Sequence, residues 1–514
     1  ADAYTDLQDA LEQATPGTQI QVAAGVYLPG TQADDTFQLK SGVALLGNFP
    51  DGGGEESERS FEHPSVLSGD IDGNDTTDPN GVVTDPDNLN GENTFHVIKG
   101  SGVDSSAVLD GFTITAGQAE GARELGGGML NLSGSPTLAN VTFSGNSAKI
   151  GGGMGNAINS SPTLTDVTFS GNRADRGGGM FNTEFSSPTL ANVTFIGNLA
   201  NSIGGGMRNE LGSNPDLVNV NFDNNYAGSS GGGGMSNDDS NPTLINVEFN
   251  NNLASDSLPG LQNFDSDPQL NSILSPSDAA DFGGGMNNWN SDPRLLNVTF
   301  AGNKSGTLGG GMMNYNSNAL LINVIFSGNT ADSGGGIYNS VSDPELLNVT
   351  FSSNHAETTG GGVHNYNDSH PSIENSILWG NSPEQVFQED TSSAAIQDSL
   401  VQSGCPDAAT CSGTLLTDDP LFVRNPGPGT DGVLGTSDDD YGDLQLKVGS
   451  PAINAGNNAL LPADSWDLDG DGDTSEPIPY DFAYKPRITD ATVDMGALEA
   501  TETIYKVYLP LTVR

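Results

Sequence analysis

Between residues 126 and 378 the chain repeats one phrase, and a fixed internal period constrains a fold more tightly than any other sequence property. Gly126-Gly-Gly-Met129-Leu-Asn131 is followed by Pro136-Thr-Leu138-Ala-Asn140-Val141-Thr-Phe143-Ser-Gly-Asn146. The phrase returns at Met154 with Phe169, Met180 with Phe195, Met207 with Phe222 and Met235 with Phe249. It resumes at Met286 with Phe300, Met312 with Phe326, Ile337 with Phe351 and Val363 with Leu378. The steps are 25, 26, 27, 28, 51, 26, 25 and 26 residues. The step of 51 is expected to hold two coils. The extra one would lie at 258–280, where Pro268-Gln-Leu270-Asn271-Ser-Ile-Leu274 echoes the phrase without its glycines.

Each period reads as three short strands. Gly-Gly-Met-x-Asn opens the first, Thr-Leu forms the second, and Val-Thr-Phe forms the third with Val and Phe on one face. Leu138 and Val141 are three apart, which breaks strict alternation. Asn140 sits in the break, and Asn tolerates the left-handed conformation of a tight corner. Phe-Ser-Gly-Asn supplies another corner. A propeller blade needs about 40 residues and a leucine-rich repeat needs L-x-x-L-x-L, so neither fits. The prediction is an all-β, right-handed parallel β-helix with coils of about 26 residues. Stacked coils put identical residues about 4.8 Å apart. Ladders are therefore expected from Met129 to Met312, from Phe143 to Phe351, and along Asn140, Asp166, Asn192, Asn219, Asn246, Asn297, Asn323, Asn348 and Asn375. Some of these Asn stand in Asn-x-Thr, but an Asn buried in a ladder cannot carry a glycan.

A solenoid must close its ends. Asp6 to Gln13, with Leu7 and Leu11 on one face, reads as an N-terminal cap helix. The expected organisation is a cap and irregular first coils at 1–120, regular coils at 121–383, irregular coils that cap or extend the far end at 384–500, and a tail strand at 501–514.

Asp and Glu number 66 against 16 Lys and Arg, for a formal charge of −50. Nucleic acid and anionic membranes need basic patches, so both are disfavoured as partners. No apolar run approaches the roughly 20 residues of a membrane span. The opening Ala1-Asp-Ala-Tyr-Thr-Asp reads as the start of a mature or trimmed chain, and secretion is inferred from other features. Cys405 and Cys411, with five residues between them in one loop, are expected to close a disulfide in an oxidising compartment.

The Gly-Gly-Gly-Met-x-Asn and Phe-x-x-Asn phrases resemble the repeats of polymorphic outer-membrane proteins and of right-handed β-helix surface proteins. Tyr4-Thr-Asp-Leu-Gln-Asp-Ala-Leu11, Val22-Ala-Ala-Gly-Val-Tyr27, Leu45-Leu-Gly-Asn-Phe49 and Val108-Leu-Asp-Gly-Phe-Thr-Ile-Thr115 resemble the opening of bacterial choice-of-anchor Q proteins. Ser450-Pro-Ala-Ile-Asn-Ala-Gly456 and Val493-Asp-Met-Gly-Ala-Leu-Glu499 resemble their close. The resemblance spans nearly the whole chain. It implies a β-helix and a secreted or surface location, and says little about activity.

The acidic loops are the candidate ligand sites. Asp467, Asp469, Asp471, Asp473 and Glu476 fit D-x-D-x-D-G, although position 12 of a standard calcium loop falls on Ile478. Asp431, Asp438 and Asp440 form a second candidate for structural Ca²⁺, and Asp70 with Asp72 a third. Glu124, Lys149 and Asp175 stand five residues before their Met and should stack as a surface charge ladder. His355, His364 and His370 fall within one coil and its neighbour, where loops could bring two together. No Ser-His-Asp order or G-x-S-x-G is evident.

The expectation is a non-enzymatic, extracellular structural or adhesive protein. A polysaccharide-binding, lyase or hydrolase β-helix is the alternative. Partners would be extracellular polysaccharide or further copies of the chain. The last segment carries Tyr505, Val507, Tyr508, Leu509, Leu511 and Val513, which could add a strand to a neighbour and build a head-to-tail fibre.

Overall fold

The computed structural model describes residues 4–500, except 61, 63, 229, 256–281, 433–437 and 490. The chain winds into a parallel β-helix. A 12-stranded sheet runs from Phe37–Gln38 to Val386–Gln388 and contains every Met strand, among them Met129–Leu132 and Met312–Tyr315. A 22-stranded sheet holds both the Thr-Leu and the Phe strands. In four coils these two fuse into one eight-residue strand, Thr189–Ile196, Asp216–Asp223, Thr243–Asn250 and Arg294–Ala301.

A further sheet of nine strands was not foreseen. It follows the Phe corner in segments such as Ser147–Ala148 and Leu199–Ile203. Most of its strands pair only two residues, too few to leave an alternating pattern, and its one consistent inward residue is a small Ala such as Ala200 or Ala227.

Register is strict because one face of every strand is buried. Met129 pairs with Met154, Leu138 with Leu164, and Phe143 with Phe169. From Phe143 to Phe351 the rings stack with centroids 4.7–4.8 Å apart and planes within 4°. The corner Asn residues adopt the left-handed conformation, with φ 53° at Asn140 and 55° at Asn192. The glycines before each Met are sterically required: a Cβ on Gly153 would lie 2.6 Å from the Gly179 carbonyl oxygen and 2.8 Å from the Phe169 ring.

Two Asn ladders run fully buried through the stack. One follows each Met, with Asn131 Nδ2 donating to Asn156 Oδ1 at 2.8 Å and so on to Asn365. The other ends each Phe-x-x-Asn. Asn172 Nδ2 donates to both the Phe143 carbonyl and Asn198 Oδ1, at 3.0 and 2.9 Å. Each coil thereby meets the backbone demands of its own corner through its neighbour.

Three expectations need correction. Met235 pairs directly with Met286, and Phe249 stacks on Phe300 at 4.8 Å, so the step of 51 is one coil carrying an insertion. The coil expected at 258–280 falls on residues outside those described, and the coils on either side of them already stack at coil spacing. Second, the corner Asn ladder is exposed at Asn140, Asn192 and Asn219 and becomes buried only from Asn297 onward. Burial therefore does not exclude a glycan at Asn140-Val-Thr or Asn192-Val-Thr. Third, residues 384–500 extend the far end only in part. Strands Ala395–Val401 and Thr410–Leu416 extend the helix, after which the chain doubles back along the outer face of the 22-stranded sheet. Leu461, Ile478 and Val493 pack on Leu296 and Ile322, while Met495 and Ala497 pack on Ile325 and Ile377. This returning strap is what buries the later corner Asn.

At the N-terminus helix Leu7–Gln13 closes the core as expected. Asp6 caps it through the Gln8 N–H at 2.7 Å, and Leu7 and Leu11 are buried over the first coils.

Candidate functional site

Two regions concentrate chemistry: the outer face of the Met strands, and the acidic loop of the strap. On the Met strands the Met and the Asn two residues later point inward, so the residues one and three after Met face outward. Along the stack the first of these positions carries Phe181, Arg208, Ser236, Asn287, Met313, Tyr338 and His364. They are nonetheless covered, and the first glycine of the same phrase lies against them; its Cβ would sit 2.7 Å from His364 Cβ at Gly360.

The composition of this face changes along its length. Arg176 pairs with Glu210, and its guanidinium lies over the Phe181 ring. Arg208, buried, reaches Asp238 at 2.8 Å and Ser236 Oγ at 2.8 Å. Burial lowers its pKa from the ordinary value, and Glu210 and Asp238 oppose that shift. Next along the face, Trp289 and Tyr315 stack with centroids 4.1 Å apart, and Trp289 is 40% exposed. Beyond them Tyr338, Tyr366, His364 and Phe387 form a tilted aromatic cluster. His364 lies between Thr359 Oγ1 at 2.9 Å and Glu389 Oε2 at 3.2 Å, and burial lowers its pKa. The aromatic residues stand one or three places after a repeat Met, an offset readable in the sequence that the three-strand reading did not weigh.

The three histidines stay apart. His355 faces Glu357 at 3.7 Å, and His370 lies 3.6 Å from Asp343 and 3.8 Å from Asp368. Among the described residues no group with metal-ligand spacing includes a histidine. Glu124 and Lys149 pair at 3.0 Å on the surface, and Asp175 accepts from Asn201 at 2.8 Å in the next coil.

The three acidic loops differ in what their carboxylates do. In the first loop Asp70 Oδ1 accepts from the Gly73 and Asn74 N–H groups, and Asp72 Oδ2 from Asn74 Nδ2 and the Glu92 N–H. Their neighbour Asp75 is pushed up to about 6, mainly by burial, with the Asp70 and Asp72 charges adding to it. In the second loop Asp438 Oδ2 accepts from Thr430 at N and Oγ1 and from the Asp431 N–H, and Asp440 is ion-paired with Arg424 at 2.5 Å. The third loop brings carboxylate oxygens together. Asp467, Asp469 and Asp471 form one group within 4.8 Å, and Asp464, Asp469 and Glu476 form another. Asp473 holds its own turn through Ser475. Asp464 escaped the sequence reading because only the packing of the strap buries it.

Cys405 and Cys411 are disulfide-bonded beside the last coil. Thr410–Leu416 pairs with Ala395–Val401 and, among the described residues, with no other strand. The tail residues Tyr505, Val507, Tyr508, Leu509, Leu511 and Val513 lie outside the described residues. Among those described, no helix is long and apolar enough to cross a membrane.

The continuous ladders and the registered Met strands define a parallel β-helix repeat protein. Residues 323–340 match the Chlamydia polymorphic membrane protein (Chlamydia_PMP) repeat, the family that the Gly-Gly-Gly-Met-x-Asn phrase resembles. No curated protein matches the chain. Among solved structures, the crystal structure of pectate lyase Pel9A aligns over 96% of this chain and 91% of its own, at 12% identity and a TM-score of 0.38. A likeness of that size carries nothing about activity.

Proposed function

We propose that this chain is a secreted structural or adhesive β-helix protein of a bacterial surface, which uses the outer face of its Met strands as a contact platform for extracellular polysaccharide. The observation that carries the reading is the stacked pair Trp289 and Tyr315, with an indole left 40% exposed on a rigid parallel sheet. Aromatic faces held on a regular scaffold suit the apolar faces of sugar rings, and their side chains have little rotamer freedom to lose. The Cys405–Cys411 disulfide supports an oxidising, extracellular setting. The match to a surface-protein repeat supports the location.

The test is binding and turnover on a panel of acidic and neutral polysaccharides. Retention of a polysaccharide without cleavage, weakened at least tenfold by Trp289→Ala at unchanged melting temperature, is the expected result. Cleavage with turnover would replace this reading with a lyase or hydrolase. End-to-end assembly is the second element of the proposal. The edge of Thr410–Leu416 that meets no other strand among the described residues would offer its backbone groups to a strand from another copy. Electron microscopy of the full chain and of a chain lacking residues 501–514 tests it. Fibres from the first alone are expected, and identical particles from both would refute the tail as the joining strand.

A further inference from the structure

We propose that Asp464, Asp469 and Glu476 form a calcium site that fastens residues 461–478 of the strap to the outer face of the 22-stranded sheet. Asp464 is fully buried, an unusual place for a carboxylate without a cationic partner. Its Oδ2 accepts from the Leu468 N–H at 2.8 Å, while Oδ1 is shut off from solvent and has no hydrogen-bond partner among the described residues. An orphaned oxygen on a buried acid carries a desolvation cost that a cation would remove.

The surroundings supply the rest of an oxygen-ligand set. One carboxylate oxygen each from Asp464, Asp469 and Glu476 lie within 4.8 Å of one another. Oxygens bound to one Ca²⁺ at 2.3–2.6 Å can be at most about 5 Å apart, so the three fit around a single ion. Glu476 is held opposite Asp464 by the backbone: the Asp464 N–H donates to the Glu476 carbonyl at 2.7 Å, and Ala463 bridges Pro477. The Glu476 carboxylate stands among the acids Asp464, Asp469, Asp471 and Asp473, a crowding of like charge that a divalent ion relieves.

This set differs from the D-x-D-x-D-G arrangement expected from sequence. Position 12 of that loop, Ile478, is buried against Leu296 and Ile322 and anchors the strap. Asp467, Asp469 and Asp471 each commit an oxygen to a turn, accepting from the Gly472, Asp471 and Asp473 N–H groups at 2.9, 3.2 and 2.7 Å, and none of the three is buried as Asp464 is. The acid upstream of the motif, Asp464, takes the inner position. The same short stretch grips the helix: Arg294 donates to Ser465 Oγ at 2.9 Å, and its guanidinium lies 4.6 Å above the Trp466 ring. An ion tying residue 464 to residues 469 and 476 would hold these anchors in one arrangement.

The test uses the full chain stripped with a chelator, calorimetric titration with calcium chloride, and hydrogen exchange across residues 461–478. Calcium is expected to slow exchange in that stretch at least tenfold. Asp464→Asn and Glu476→Gln should each abolish that protection and weaken binding at least tenfold, while Asp471→Asn leaves the protection in place. Protection lost in Asp471→Asn but kept in Asp464→Asn would place the ion on the exposed group and overturn the proposal. Absence of calcium-dependent protection in the unaltered chain, or tighter binding of Mg²⁺ than of Ca²⁺, would overturn it as well.

Discussion

Asn192 and Asn198 lie six residues apart in one coil and test the same chemistry at opposite costs. Asn198 is fully buried. Its Nδ2 donates to the Phe169 carbonyl at 2.9 Å and to Asn225 Oδ1 at 3.0 Å, and its Oδ1 accepts from Asn172 N at 3.1 Å and Asn172 Nδ2 at 2.9 Å. Asn198→Ala breaks all four bonds and leaves buried partners in two neighbouring coils unsatisfied. At about 1–1.5 kcal/mol per bond, the loss is about 4–6 kcal/mol. Asn192 is exposed, gives one bond to Asp166 at 3.1 Å and receives one from Asn219 at 3.0 Å, and sits at φ 55°. Asn192→Gly keeps that conformation accessible and exposes its partners to water, so the expected change is within about 0.5 kcal/mol. Hydrogen exchange of the amides in coils 172–225 reads the local opening free energy directly. A solenoid of this length is not assured of unfolding in a single step, so a local measure is preferable to a global midpoint. An Asn198→Ala protein whose local opening free energy stays within 1 kcal/mol of the parent would refute the view that buried amide ladders hold the coils together.

Other changes follow from the same packing. Phe222→Ala removes a ring stacked on both sides at 4.7 and 4.8 Å, and should lower stability by about 3–5 kcal/mol in denaturant unfolding. Gly153→Ala places a methyl against the Gly179 carbonyl and the Phe169 ring, so exchange should rise in the adjoining Met strands while the distant coils stay protected. Burial pushes Glu499 up to about 8, in a cluster where Asp481 and Asp494 accompany a single buried guanidinium, Arg487. The native state then holds a proton that the unfolded chain has already lost. Stability contributed by that proton is complete below the unfolded value near 4.5 and disappears as pH rises through about 8, with a slope of up to ~1.4 kcal/mol per pH unit. Glu499→Gln should flatten the melting profile across that window, and an unchanged slope would refute the assignment. Replacing Cys405 and Cys411 with Ala should raise exchange in Thr410–Leu416 and leave the central coils unchanged.

The coil, its period and its inward residues were legible because each position is repeated, and repetition reports a constraint that a single strand cannot. Asn140 at a left-handed corner and Phe143 in a continuous stack both followed from spacing alone. The course of the strap was not legible by that logic, since it occurs once. A trace of it does stand in the repeat. The residue after each inward leucine is Ala139, Thr165, Ala191 and Val218 in early coils, then the bulkier Ile245, Leu296, Ile322 and Leu347 where the strap lies. An outward position turning apolar marks a second layer. Asp464 could not be recognised at all, because it is buried in a strap whose Leu461 and Ile478 pack on coils more than a hundred residues upstream. The insertion between Met235 and Met286 misled in the opposite direction: a length close to two periods imitated a coil that the register excludes.

The strap also changes how the stack should behave under load. In a plain solenoid each coil feels only the ones above and below, so strain stays local and unfolding can begin anywhere. Here one continuous segment crosses several coils, touching Ile245 near one end of its path and Ile377 near the other. Those coils cannot separate without peeling it away, so they are expected to yield together as a block. The coils before Asn219, whose outer corners stay open to water, are crossed instead by the shorter segment 83–87, which reaches Ser144 and Arg173, and should open in smaller steps. A molecule pulled along its axis would then give a run of small extensions followed by one large rupture, a stiff half and a compliant half made from the same repeat.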